Sequence, residues 1–153
     1  MQISDSTNLM RSELLKQQQE VRALAARDRE VRAHEQAHSA VGGVYAGNPV
    51  YQYTQGPNGV RYAHSGHVNI DISPVANDPR ATLEKMQTVA RAALAPAEPS
   101  AQDRAVAAKA NQQAAQARAE IAAESNDAQS ETLATKARQE FGSTSGSLID
   151  LII

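Results

Sequence analysis

Cysteine and tryptophan are absent from this chain, phenylalanine occurs once, and aromatic residues make up only 3% of it. Without cysteine there is neither a disulfide framework nor a thiolate metal site, which suits a reducing cytoplasm without requiring one. Without large aromatic side chains the core of a 153-residue protein must be thin, and alanine supplies much of its apolar content. A bound metal would help hold such a core together. Long apolar runs are missing too. No stretch approaches the roughly 20 apolar residues of a membrane span, and the terminal Leu148-Ile149-Asp150-Leu151-Ile152-Ile153 is far too short. Met1-Gln2-Ile3-Ser4-Asp5 has neither the charged region nor the apolar run of a signal peptide. Nor does one sign of charge dominate: the formal net charge is −2, with basic and acidic residues interleaved. That excludes the basic stripe of a nucleic-acid binder. These absences lead us to expect one small, soluble, cytoplasmic domain with tails, and they leave its oligomeric state open.

What the chain does have is histidine, concentrated in one region. His34, His38, His64 and His67 are all four of its histidines. The first two belong to His34-Glu35-Gln36-Ala37-His38, an H-E-x-x-H pentapeptide within a strongly helical stretch. Histidines four apart lie on one face of a helix, so both imidazoles can reach a single metal ion. The glutamate between them is placed to accept a proton from water at that ion. The bland counterpart is a solvated helix face carrying two inert histidines.

Residues 12–41 are expected to form one long helix. Leu14, Val21, Leu24, Val31, His38 and Val41 recur at mixed threes, fours and sevens along one side, and Asp28 pairs with Arg32 at i,i+4. Gly42-Gly43 supplies the stop. The period then changes. Residues 50–55 and 60–64 are expected strands, joined by a hairpin at Gly56-Pro57-Asn58-Gly59. Residues 67–72 alternate, with Val68, Ile70 and Ile72 on one face and His67, Asn69 and Asp71 on the other. A second helix should open at Asp78-Pro79, run through Leu83, Met86, Val89 and Leu94, and stop at Pro96. The spacing of Ser100 and Asp103 is that of a capping box opening an Ala/Gln-rich helix to about residue 124. Residues 142–147 read as a flexible linker.

The fold expected is therefore α+β: a long motif helix, a small antiparallel sheet, a second covering helix and an Ala-rich helical tail. Residues 1–19 would form a helical extension and residues 20–110 a catalytic domain. Residues 111–153 would form a helical or partly disordered tail.

A zinc site built on His34 and His38 needs a third protein ligand. Val41 stands where the extended metzincin pattern would place glycine, so that pattern is excluded. His67 is the first choice, at the start of a polar strand face. Glu84 on the second helix, His64 and Asp71 are the alternatives. Asp71 also suits an indirect role, accepting the second N–H of a ligand imidazole, and Glu30 is a further candidate for that role. Glu98, in its proline-flanked loop, is a more remote carboxylate. The tyrosines Tyr45, Tyr51, Tyr53 and Tyr62 lie between the motif and His67, and Tyr62 is the nominated donor to a developing oxyanion.

The run from Arg27 to His38 resembles the signature of the SprA-related family, bacterial proteins with a predicted metalloprotease motif. Gly42-Gly43, Tyr45-Ala46-Gly47, the hairpin from Tyr53 to Gly59 and Ile70-Asp71-Ile72-Ser73-Pro74 carry the same resemblance. It continues from Ala95 to Arg104 and spans roughly residues 20–110. The resemblance implies a zinc peptidase-like domain with His34 and His38 as ligands and Glu35 as general base. In that family a glutamate commonly precedes the Val-x-Ile-Asp stretch, where this chain has His67, and both residues are zinc ligands. The function expected is zinc-dependent hydrolysis of a peptide or protein substrate. The alternative is a non-catalytic, zinc-stabilised helical interaction module.

Overall fold

The structure, a computed structural model, describes residues 3–142. It is mostly helical, with three α-helices and a two-stranded sheet among the described residues. Helix α1 spans Ile3–Gly42, so it starts well before the expected residue 12. Residues 7–20 lie in solvent, with Met10 and Leu14 exposed, and burial begins at Val21 and deepens to Val31, Glu35 and His38. Good intrinsic helix formers carry the exposed half, and packing carries the rest. The Asp28–Arg32 pair forms as expected, with N···O distances of 2.9 and 3.0 Å. Gly42 ends the helix where a Cβ would collide with Ala46 and press on Ala92, so only glycine lets the chain turn against the next helix here.

Strands β1 (Val50–Gln55) and β2 (Arg61–His67) pair antiparallel around the Gly56–Gly59 turn, with Gly59 at φ 77°. The second strand runs three residues beyond its expected end at His64. The register shifts between Gln52 and Tyr53, which leaves His64 as the extra residue of a bulge. Two side chains of α1 grip β2 on its other side. Asp28 Oδ1 accepts the Ala63 N–H at 2.8 Å, and Arg27 Nε donates to the His64 carbonyl at 3.3 Å.

Residues 67–72 do not form the expected strand. Only an isolated bridge joins Ala46 to Ile70, because no further strand lies alongside. The alternation itself survives: Val68, Ile70 and Ile72 are half-buried, while His67, Asn69 and Asp71 are exposed.

Helix α2 (Pro79–Ala93) starts as expected, with the Asp78 side chain accepting the Ala81 N–H at 2.8 Å and Pro79 in the first turn. It stops just before Leu94, ahead of Pro96. Helix α3 (Ala101–Gly142) is continuous well past residue 124. The most extensive helix–helix contact is between α2 and α3. Met86, Val89 and Ala90 meet Ala110 and Ala114 there, with Tyr45, Ile70, Ile72, Leu83 and Val106 around them. Met86 and Val89 are the largest fully buried side chains among the described residues, so the core is as thin as the composition implies. Alanine on both faces lets the helix axes approach closely, toward the ~8 Å limit of helix packing. Buried alanines continue to Ala117, beyond residue 110, whereas residues 122–139 are exposed. The linker expected at residues 142–147 falls almost wholly outside the described residues, as does the apolar terminus.

Candidate metal centre

Three helix segments converge beside β2. His34 and His38 project from one face of α1, their ring centroids 4.9 Å apart and their planes inclined by 74°. The first turn of α3 brings Asp103 against both: His34 Nε2 is 3.4 Å from Oδ2, and His38 Nε2 is 3.4 Å from Oδ1. The ligand atoms of the three residues all lie within 4.8 Å of one another.

Helix α2 contributes through its backbone. His38 Nδ1 is 2.8 Å from the Ala92 carbonyl oxygen, so Nδ1–H donates there and the lone pair is left on Nε2. In the neutral tautomer that lone pair faces a carboxylate oxygen, an opposition that either a proton on Nε2 or a metal cation between the two removes. Nitrogen and oxygen ligands about 2.1 Å from a tetrahedral zinc stand about 3.4 Å from each other, matching the two His–Asp distances. The donor set and its orientation therefore fit a metal ion, and His34, His38 and Asp103 could hold one.

Asp103 owes its position to local sequence. Ser100 N–H donates to Asp103 Oδ2 at 2.7 Å, and Asp103 N–H donates to Ser100 Oγ at 3.1 Å, a reciprocal cap on α3. Burial pushes the Asp103 carboxyl upward. The Ser100 hydrogen bonds and the two histidines outweigh it and hold the group below the usual carboxylate range. Asp103 is thus an anion at neutral pH, as a ligand must be.

Glu35 is only 5% exposed and lines the same cavity as the three donors, with its carboxylate against the backbone of Gly66. That cavity, of about 310 Å³, is walled by His67, Val68, Asn69 and Ile70 on one side and by Gln102 and Val106 on another. A family model for the SprA-related family matches residues 3–137. The chain belongs to the SprA-related family. No curated protein and no solved structure matches it.

In this SprA-related chain the sequence motif and the tertiary fold name different third donors. His67 lies on the cavity wall, exposed, and outside the group of converging atoms, whereas Asp103 completes that group. Sequence reasoning saw Asp103 only as a helix cap, although it stands in the Ala95–Arg104 segment of family likeness, which was the available signal.

The other candidates lie elsewhere. Glu84 is exposed on α2, and His64 is exposed at the bulge. Asp71 is engaged by Lys85 Nζ at 2.6 Å, which with the Ser73 N–H pulls its carboxyl down to about 2, so it does not orient a histidine. Glu30 pairs with Arg27 at 3.8 Å. Glu98 lines a neighbouring cavity. Tyr62 accepts a hydrogen bond from Asn58 within the hairpin, Tyr45 packs on the core, and Arg32 stacks over Tyr51 and Tyr53. No tyrosine is among the residues lining the cavity.

Proposed function

We propose that this chain is a zinc-dependent hydrolase of peptide bonds, with His34, His38 and Asp103 as the metal ligands and Glu35 as general base. One observation carries the reading: a buried, cavity-facing glutamate stands beside three converging lone-pair donors. Bound zinc supplies Lewis acidity, polarising a carbonyl and bringing the acidity of water toward neutral pH.

The residues of the chain do the rest. The Ala92 carbonyl accepts from His38 Nδ1–H, which leaves Nε2 as the ring atom available to the metal. Ser100 fixes Asp103 as an anion. Glu35 takes the proton of the attacking water on its carboxylate and returns it to the departing amine nitrogen. Gly66 backs the carboxylate on the β2 side, and Glu35 as a whole is only 5% exposed.

The test pairs zinc stoichiometry with peptide hydrolysis for the wild type and Glu35→Gln. The variant should keep its zinc and lose hydrolysis. Undiminished hydrolysis by the zinc-loaded variant rules the mechanism out.

A second reading, a zinc-stabilised helical interaction module, draws on the exposed first half of α1 and the exposed end of α3. Under it, zinc would be held with every position filled by protein, and no small ligand would reach the ion.

A further inference from the structure

Beside the four polar residues of the site, the cavity is lined by the apolar Val68, Ile70, Ala93 and Val106, with His67, Asn69 and Gln102 among them. Ile70 and Val106 are half-buried and pack from behind against the Met86–Val89–Ala110 core. Ile70 and Val106 thus turn the outer face of the core toward the cavity, where they and Val68 are still partly reached by solvent, while Ala93 is fully buried. Apolar surface left accessible in a concave site beside oriented polar groups is the usual form of a ligand pocket.

A second cavity, of about 710 Å³, adjoins the first and shares His34, Glu35, Gly66 and Ser100 with it. Its walls carry small side chains, Ala33, Ala37 and Ala97, with Arg27, Glu30 and Glu98 also on its lining. The two form one cleft passing either side of Glu35: a roomy arm lined by small residues and a smaller end floored by the core. An extended chain fits the first, and a single side chain fits the second.

We infer that the Val68–Ile70–Ala93–Val106 end is a side-chain pocket, and that the centre takes peptides with a medium-sized apolar residue beside the group held at His34, His38 and Asp103. This deepens the hydrolase reading by naming its substrate class, and it rests on that reading for the nature of the bond. The pocket makes its own claim on binding. Val68, Ile70, Ala93 and Val106 carry no polar side-chain group, so a carboxylate or ammonium set against them would lose water without gaining a partner there. An apolar group would gain the burial of its own surface.

The experiment reads binding and not turnover. Zinc-loaded full-length protein is titrated calorimetrically with acetohydroxamate, 4-methylpentanohydroxamate, 3-phenylpropanohydroxamate and succinic monohydroxamate. The branched and aromatic compounds should bind at least ~10-fold more tightly than acetohydroxamate, the worth of one buried apolar group. The succinic compound should bind no more tightly than acetohydroxamate. Val106→Trp, which fills the pocket, should reduce the preference to near unity. Val106→Ala, which widens it, should move the preference toward the phenyl compound.

Equal affinities across the wild-type series, preference for the charged compound, or no hydroxamate binding would each overturn the inference. Peptide hydrolysis by the same zinc-loaded wild-type protein separates the two claims. A clear apolar preference in wild type that cleaves no peptide sinks the hydrolase reading and leaves the pocket standing.

Discussion

A Cβ built on Gly66 would lie 2.7 Å from Cγ of Glu35 and 3.1 Å from its Cδ and Oε1. The backbone of β2 thus forms the wall against which the buried carboxylate rests. Real Cβ atoms do not approach a neighbour so closely, so any side chain at position 66 must push Glu35 away. Displacement of a reacting group by about 1 Å can cost on the order of 100-fold in rate. Gly66→Ala should therefore keep its zinc and lower kcat for peptide hydrolysis by about that factor. Full activity in a zinc-loaded Gly66→Ala protein would show that Glu35 need not stand where it does.

Asp103 caps α3 and, in the proposed centre, would also hold the metal, and the two roles separate by mutation. Ser100→Ala removes the cap and should cost about 1 kcal/mol of stability while leaving one zinc per chain. Asp103→Ala removes both cap and ligand and should lose stoichiometric zinc after dialysis against a weak chelator. His67→Ala should retain it. Metal analysis of the three variants decides which residue is the third ligand, and zinc loss confined to His67→Ala would reinstate the histidine.

Acid should expose the Asp71–Lys85 pair. The Asp71 carboxyl is held at about 2 against an ordinary value of 3.8, chiefly by the hydrogen bond from Lys85. A depressed carboxylate stabilises the folded state above its unfolded value, and that contribution drains away as pH falls through the folded one. Metal-free protein should lose melting temperature between about pH 4 and pH 2, and Asp71→Asn should flatten that part of the profile. The variant also takes the countercharge from the nearly buried Lys85 ammonium, whose other neighbour is the Tyr45 ring 5.4 Å away, so it should melt lower at neutral pH.

The exposed end of α3 should be dispensable to the packed body. Side chains from residue 122 to 139 lie in solvent, whereas Ala110, Ala114 and Ala117 are buried. A chain ending at residue 125 should keep its melting temperature within about 2 °C and its zinc, while losing helical ellipticity in proportion to the residues removed. A large drop in melting temperature would mean that the distal helix is held by something its exposure does not reveal.

Much of this arrangement was legible in the sequence because it is local. The i,i+4 spacing that puts His34 and His38 on one face, the Asp78-Pro79 start of α2 and the Ser100–Asp103 box are each written within a few residues. The burial alternation of residues 67–72 was equally readable, but whether it became a strand depended on a neighbour the sequence could not promise. Asp103 was the miss. Its capping hydrogen bonds are both to Ser100, so a local role accounts for it, and only the packing of α3 on α2 carries it to the histidines. His67 is attractive in sequence because it opens a polar strand face and stands where the family has glutamate; β2 sets it, exposed, on the wall of the cavity.

Where α1 and α2 end, their unpaired carbonyls leave partial negative charge, and where α3 begins, its unpaired N–H groups leave partial positive charge. His38 stands in the last turns of α1, Ala92 in the last turn of α2 and Asp103 in the first turn of α3. The centre is thus a junction of two negative helix poles and one positive pole, each worth about half an elementary charge. Before any side chain is counted, the backbone alone leaves a modest net attraction for a cation. The Asp103 carboxylate sits against the one pole that opposes it.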